Sequence, residues 1–342
     1  MISFFDEPAI DSLRAACKLD PQALRRWRNA FCKQAATMDA ALKELPLEVK
    51  PAFAEQVRSS WLELVDRIDS AEDGATKLLF KTADGHQVET VILRIQSGRT
   101  SLCVSTQVGC PVACQFCATG QQGFSRNLSA EEILDQLLQA NRLLGTEGRR
   151  VRNVVFMGMG EPLLNEPALY RSLDALRSTR FFDMPDSYLT VSTVGIPEAM
   201  TRLAQNYPKV GIALSLHSAR QGIRERLIPI AKRFSLDDLK AACQTLPAAH
   251  EKLFVEYLLL DGLTDTEADA KALLDWCDGL AVHLNLIPYN PAPGSNPLLS
   301  PTPPGRAREF AALIRPHVRA VTLRHSLGRD IAAACGQLAG SR

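Results

Sequence analysis

Ser101-Leu102-Cys103-Val104-Ser105-Thr106-Gln107-Val108-Gly109-Cys110-Pro111-Val112-Ala113-Cys114-Gln115-Phe116-Cys117 is the stretch on which the fold turns. Residues 101–106 read as a β-strand. The loop that follows carries three cysteines at C-x3-C-x2-C spacing, and Gly109 and Pro111 favour a tight, exposed turn over a core element. Three thiols in so short a run can bind a soft metal, either zinc or an iron–sulfur cluster. A structural zinc site takes a fourth ligand, typically from a second Cys/His pair, and no such pair is obvious. Three cysteines on a [4Fe–4S] cluster leave one iron open to an exogenous molecule.

Working outward, strand and helix patterns alternate downstream. Candidate strands cover 101–106, 151–157, 188–193, 211–216, 253–260, 282–287 and 320–324. Amphipathic segments lie between them at 130–144, 167–179, 197–206, 236–245, 266–277 and 306–314. The first opens on a capping box, Ser129 with Glu132. Repeated βα units imply a parallel sheet, open or closed into a barrel, and in barrels the C-terminal strand ends carry the active site. Residues 290–304, rich in Pro, Gly, Ser and Asn, read as one long loop and a functional candidate. Upstream, 8–18, 21–36 and 51–69 carry apolar residues at helical spacing. Segments 77–80 and 87–95 then read as a hairpin around Asp84-Gly85.

The 342 residues suit one large domain with a small appendage. Lys and Arg number 39 against 38 Asp and Glu, a formal net charge of +1, which excludes a uniformly basic nucleic-acid binder but not a local patch. No apolar run is long enough to span a bilayer. The N-terminus lacks the basic region of a secretory signal, so a cytoplasmic protein is expected. An odd count of nine cysteines then argues for metal or catalytic use over disulfides.

The C-x3-C-x2-C loop after a first strand resembles the radical S-adenosylmethionine (SAM) superfamily. Met157-Gly158-Met159-Gly160-Glu161-Pro162, directly after the second strand, resembles the element that holds the SAM amino group in that superfamily. A carboxylate and backbone carbonyls accept bonds from an ammonium, and glycines permit close approach. Longer strings resemble the RlmN/Cfr family of RNA (adenine) methyltransferases. They are residues 102–110, Cys117-Ala118-Thr119-Gly120-Gln121-Gln122-Gly123-Phe124, residues 158–165, Ser215-Leu216-His217, Asn285-Leu286-Ile287-Pro288-Tyr289-Asn290-Pro291 and Asp330-Ile331-Ala332-Ala333-Ala334-Cys335-Gly336-Gln337-Leu338. The resemblance spans roughly residues 88–340.

That resemblance implies an α/β fold, a partial open (β/α)6 TIM-like barrel. It divides the chain into an N-terminal helical accessory domain over 1–75, a hairpin-like connection over 76–98 and a core over 99–342. It implies a [4Fe–4S] cluster on Cys110, Cys114 and Cys117, and SAM contacts from Gly160, Glu161, Ser192, Ser215, Leu216, His217 and Asn290. It implies a two-stage reaction, because adenine ring carbons carry no lone pair with which to attack SAM. Cys335 as a thiolate takes a methyl group from one SAM. A deoxyadenosyl radical from a second SAM abstracts hydrogen from that methyl, and the carbon adds to the adenine. Glu89 removes the ring proton as general base. Cys103 then attacks the Cys335 sulfur, and the resulting disulfide must be reduced. The target carbon is C2 ahead of C8, and 23S ribosomal RNA is the target ahead of tRNA. The partners implied are RNA, an electron donor and a disulfide reductant, acting on a monomer with no membrane.

Arginine clusters add to this picture. They are Arg149, Arg150 and Arg152, then Arg220, Arg224 and Arg226, then seven arginines against two acids from residue 301 onward, and they suit a phosphate backbone. Two other readings stay open. A different radical SAM enzyme, such as an activase or a sulfur-inserting enzyme, would not need Cys103 or Cys335. A non-catalytic zinc- or RNA-binding module would cleave no SAM.

Overall fold

The computed structural model describes residues 1–95, 97–246, 253–292 and 296–339. Its centre is a ten-stranded sheet: β1 (Leu62–Asp69), β2 (Ala75–Thr82), β3 (Gln87–Arg94), β4 (Thr100–Cys103), β5 (Asn153–Phe156), β6 (Leu189–Thr193), β7 (Gly211–Ser215), β8 (Leu253–Leu259), β9 (Val282–Pro288) and β10 (Ala320–Leu323). Their spatial order is their chain order. The first four form an antiparallel meander, and every pairing from β4 to β10 is parallel. Parallel neighbours need crossover helices. These are Ala130–Gly145, Glu166–Arg177, Pro197–Asn206, Leu236–Gln244, Glu267–Cys277 and Pro304–Ile314. The result is the six βα units expected from the sequence, with β10 as a seventh parallel strand.

Local chemistry explains the helix starts. Ser129 with Glu132, Ser235 with Asp238 and Thr266 with Asp269 each form a complete capping box, so orphan N–H groups of the first turn are satisfied reciprocally. The inner strands read as buried apolar runs, as parallel strands covered on both faces must. One apolar core runs from these strands into the N-terminal helices Glu7–Ala16 and Pro21–Arg28. There Phe4, Trp27, Phe31 and Phe53 interlock with Phe181 from the turn that follows helix Glu166–Arg177.

One expectation fails. The helical pattern over 51–69 breaks at Gln56, and residues 62–69 are strand β1. The side chains of helix Ala130–Gly145 hold the start of this strand. The buried Asp135 carboxylate accepts from the Trp61 and Leu62 amides at 2.8 and 2.9 Å, and Gln139 donates to the Leu62 carbonyl at 2.8 Å. Past Leu62 the strand is exposed, with a register irregularity between Leu64 and Asp66. The hairpin expected around Asp84-Gly85 forms as β2 and β3, with Gly85 at φ +88°. In the loop over 290–304, residues 293–295 lie outside the described residues. Helix Gln221–Leu227 has no counterpart among the segments read from the sequence. No helix among the described residues is long and apolar enough to cross a membrane.

Candidate active site

The cysteine loop leaves the C-terminal end of β4 already folded. The Cys110 amide donates to the Gly123 carbonyl (2.8 Å), Cys117 to Cys114 (3.2 Å) and Gln115 to Leu227 (2.9 Å). Gly109 has φ +76°, and a Cβ there would lie 2.0 Å from the Gly123 carbonyl oxygen, so only glycine closes this turn. Val112, Cys114, Val194, Leu227 and Ile228 form an apolar cluster around the loop. Burial pushes the Cys110 thiol up to about 12 and the Cys114 thiol well above its ordinary value, and Cys117 and Glu161 add to both shifts. Three crowded, desolvated thiols become favourable as thiolates only against positive charge. A [4Fe–4S] cluster offers each thiolate its own iron corner. The donor set therefore fits a [4Fe–4S] centre.

The glycine–glutamate turn after β5 packs against this loop. Gly160 has φ +104°, and a Cβ there would lie 2.6 Å from the Gln107 side chain. The Glu161 amide donates to Gln107 Oε1 at 2.8 Å. The buried Glu161 carboxylate accepts from the Leu163 amide (3.0 Å) and the Val194 amide (2.8 Å), tying the end of β5 to that of β6. Burial raises its pKa to about 7, against the lowering effect of these N–H donors. A carboxyl group whose folded pKa is raised favours the fold most when neutral. Its stabilising contribution is full below the ordinary carboxylate range and is lost as pH rises through about 7. Glu161→Gln should therefore gain about 2 kcal/mol on the wild type between pH 4.5 and 7.5 in thermal melts of the metal-free protein. A parallel pair of stability curves would exclude this.

The other residues expected to contact SAM line the same end of the sheet. The Ser192 and Ser215 hydroxyls lie 3.5 Å apart across β6 and β7. Leu216 and His217 direct their amides to the Glu256 carbonyl, each at 3.1 Å. Leu216 is fully buried in the main core, so only its backbone is available. His217 sits at φ +58°, edge-on to Phe116. Burial and the Arg224 charge lower its pKa to about 3, so the ring is neutral. Asn290 donates to the Ser326 hydroxyl at 2.9 Å. The Asn290 Oδ1 and His217 Nδ1 atoms are buried without a partner. Such orphans are costly unless a polar ligand satisfies them.

Cys103 lies within electrostatic reach of Cys335. Cys103, on β4 opposite Val91 of β3 and Val155 of β5, is pushed up to about 12 by burial and next by Cys335. Cys335 retains exposed surface, yet protein crowds its thiol. Burial, Glu256 and Cys117 push it up to about 12, with Arg324 opposing. The segment around Cys335 is strapped down on both sides. The Ala118 amide donates to the Gly336 carbonyl (2.8 Å) and the Thr119 hydroxyl to the Leu338 carbonyl (2.5 Å). Ser70 and the Ala71 amide bind Asp330 at 2.8 and 3.0 Å, and the Gly328 amide binds Asp73 at 2.8 Å. Glu89 belongs to the same strap. Its buried carboxylate pairs with Lys77 at 3.2 Å and accepts from the Ala339 amide at 2.7 Å.

Two groups in the site escaped the sequence reading. Glu256 stands in the otherwise apolar run Leu253–Leu259, accepts from Asn285 at 2.8 Å and is felt by Cys335. A lone carboxylate in a buried strand was the available signal. Arg224 is the second, and it corrects the basic-patch reading: its side chain is 0% exposed and cannot meet a phosphate backbone. Its neighbour Arg220 is engaged by Asp269 at 2.8 Å. Arg149, Arg150 and Arg152 are exposed, as the patch reading requires.

Known proteins resemble this chain in sequence and in fold. Residues 104–277 match the model of the Radical SAM superfamily. A "Probable RNA methyltransferase" of Rhodopirellula baltica is 44% identical over 338 residues, covering 98% of this chain and 87% of the relative. The "Dual-specificity RNA methyltransferase RlmN" of Desulfotalea psychrophila is 40% identical over 80% of this chain and 76% of its own. The crystal structure of a radical SAM methyltransferase from Sphaerobacter thermophilus superposes with a TM-score of 0.93 at 34% identity, covering all of both chains.

Proposed function

The chain belongs to the radical SAM superfamily and, within it, to the RlmN-type RNA methyltransferases, and from that membership we propose that it methylates an adenine ring carbon of RNA, C2 ahead of C8, with 23S ribosomal RNA as target ahead of tRNA. As a member it uses a [4Fe–4S] cluster and SAM. The observation that carries the reading is the docking of the Cys335 segment on the cysteine loop, through hydrogen bonds from the Ala118 amide to the Gly336 carbonyl and from the Thr119 hydroxyl to the Leu338 carbonyl.

When bound, the cluster and SAM supply a reducing electron, a methyl group and the radical that abstracts hydrogen. Cys110, Cys114 and Cys117 hold the iron. Gly160 and the backbone around Glu161 receive the SAM ammonium, while Ser192, Ser215, His217, the Leu216 backbone and Asn290 orient the rest. Cys335, deprotonated, accepts the methyl group on Sγ. Hydrogen bonds from Ala118 and Thr119 hold the segment that carries Cys335 against the cysteine loop, which would keep that methyl close to the cluster. Once the methylene carbon is bonded to the adenine and the adduct has given up its unpaired electron to the oxidised cluster, Glu89 takes the ring proton. The Cys103 thiolate attacks Cys335 Sγ, the carbon–sulfur bond breaks, the released carbon takes up a proton, and methylated RNA leaves. The disulfide formed returns to two thiols with two electrons from an external dithiol reductant. The exposed Arg149, Arg150 and Arg152 offer a surface for RNA phosphates, which the buried Arg224 does not. The adenine must leave its stack to reach this depth.

Glu89→Gln tests the base. It keeps the shape of a side chain wedged between Lys77 and Ala339, so the fold should persist while the covalent protein–RNA adduct accumulates in denaturing gels. Normal product release by this variant would sink the assignment. Gly160→Ala tests the turn. The new Cβ must displace Gln107 and adopt a positive φ, costing about 1–3 kcal/mol. SAM affinity measured by calorimetry should fall at least tenfold by order of magnitude.

A further inference from the structure

Among the described residues Arg224 has no acidic partner. It lies on helix Gln221–Leu227, and Nη2 donates to the Val194 carbonyl. Nε and Nη1 are buried with nothing to bond. No carboxylate appears among the groups that raise its pKa; the one group that does is the thiol of Cys114. Burial alone pulls the guanidinium down to about 10, so it remains charged at neutral pH. An unpaired buried charge costs several kcal/mol, and proteins retain one where an opposite charge completes it. Two connections fix where that opposite charge belongs. The Leu227 carbonyl at the end of the same helix accepts from the Gln115 amide, inside the cysteine loop. The Val194 residue that takes the Arg224 hydrogen bond gives its own amide to Glu161. Val194 and Leu227 also belong to the apolar cluster that surrounds Cys114.

Three thiolates on an oxidised [4Fe–4S] centre leave the assembly anionic, and reduction adds a further negative charge. We propose that Arg224 supplies the fixed positive charge that balances the thiolate–cluster assembly at Cys114 and thereby makes the cluster easier to reduce. A permanent cation in an apolar shell stabilises the more negative state preferentially, because little solvent screens it. Arg224 is thus a positioning and tuning residue for the cluster, outside the set that touches RNA. The inference rests on the cluster-binding reading of Cys110, Cys114 and Cys117, which iron content tests separately.

The test uses reconstituted full-length protein without SAM or RNA. Iron and sulfide are quantified, and the reduced cluster is followed by electron paramagnetic resonance in a redox titration. Arg224→Met removes the charge and keeps an unbranched apolar filler; Arg224→Lys keeps the charge. At the wild-type midpoint, the ratio of reduced to oxidised cluster should fall about tenfold in Arg224→Met, equivalent to 59 mV for a one-electron couple. Arg224→Lys should titrate with the wild type. If Arg224→Met takes up no iron while Arg224→Lys loads fully and keeps the wild-type midpoint, charge is again what the centre requires. An unchanged midpoint in fully loaded Arg224→Met overturns the proposal. An equal shift in both variants also overturns it, because hydrogen-bond geometry at Val194 would then be the cause. Wild-type protein that binds no iron refutes the cluster reading and leaves no centre for Arg224 to tune.

Discussion

Cys335→Ala gives a brown protein with wild-type iron content that carries no methyl group after incubation with methyl-labelled SAM. RNA methylation by the variant falls by at least about 1000-fold, because no other group can take over a nucleophile's role. The structural reason to expect a loaded cluster is the route by which Cys335 meets the cysteine loop. The contacts are backbone ones, Ala118 N–H to the Gly336 carbonyl, together with the Thr119 hydroxyl to the Leu338 carbonyl. An alanine at 335 leaves both in place. Peptide mapping by mass spectrometry locates the label in the wild type. Label on Cys335 supports the two-stage reading, while full RNA methylation by the alanine variant would remove Cys335 from the mechanism.

Cys114→Ala should lose essentially all bound iron and with it SAM cleavage, yet keep its fold. Many small metal sites fold only around their metal. This loop is held by Cys110–Gly123, Cys117–Cys114 and Gln115–Leu227 backbone bonds, none of which involves the Cys114 thiol, and by an apolar shell to which that thiol is one contributor. Removing one sulfur from that shell costs about 1 kcal/mol of packing. Circular dichroism and melting should therefore change little, and the iron assay should collapse. Retention of iron after this substitution would mean that the cluster is anchored elsewhere.

The cluster loop and the glycine–glutamate turn were legible in the sequence because each is a local pattern. The same holds for helices that announce themselves by capping boxes, such as the one beginning after Ser129. Cys103 and Cys335, 232 positions apart, were paired only through the family resemblance. Residues 61–69 were not legible. Trp61, Leu62, Leu64, Val65 and Ile68 recur at helical spacing, and periodicity alone reports no pairing with β2 or hydrogen bonds from Asp135. Arg224 was misread for a related reason. An arginine followed by Glu225 and Arg226 looks solvated, and its burial against Val194 is a tertiary fact. Glu89 was found by resemblance, but its engagement with Lys77 and Ala339 depends on the C-terminal segment crossing back to β2 and β3.

The irregular first strand has a consequence for how the molecule behaves in a crowd of its own copies. A sheet that does not close on itself leaves a margin of unpaired N–H and C=O groups, a template onto which another chain can add. Here Leu64, Val65 and Ile68 are solvent-exposed on that margin, which by themselves would invite stacking. The kink between Leu64 and Asp66 twists the template out of line, and Glu63, Asp66, Arg67 and Asp69 set charge along it. At the opposite margin β10 has only four residues. Both borders of the open barrel are thus poor seeds for aggregation, so the sheet can stay open for a bulky substrate without becoming adhesive.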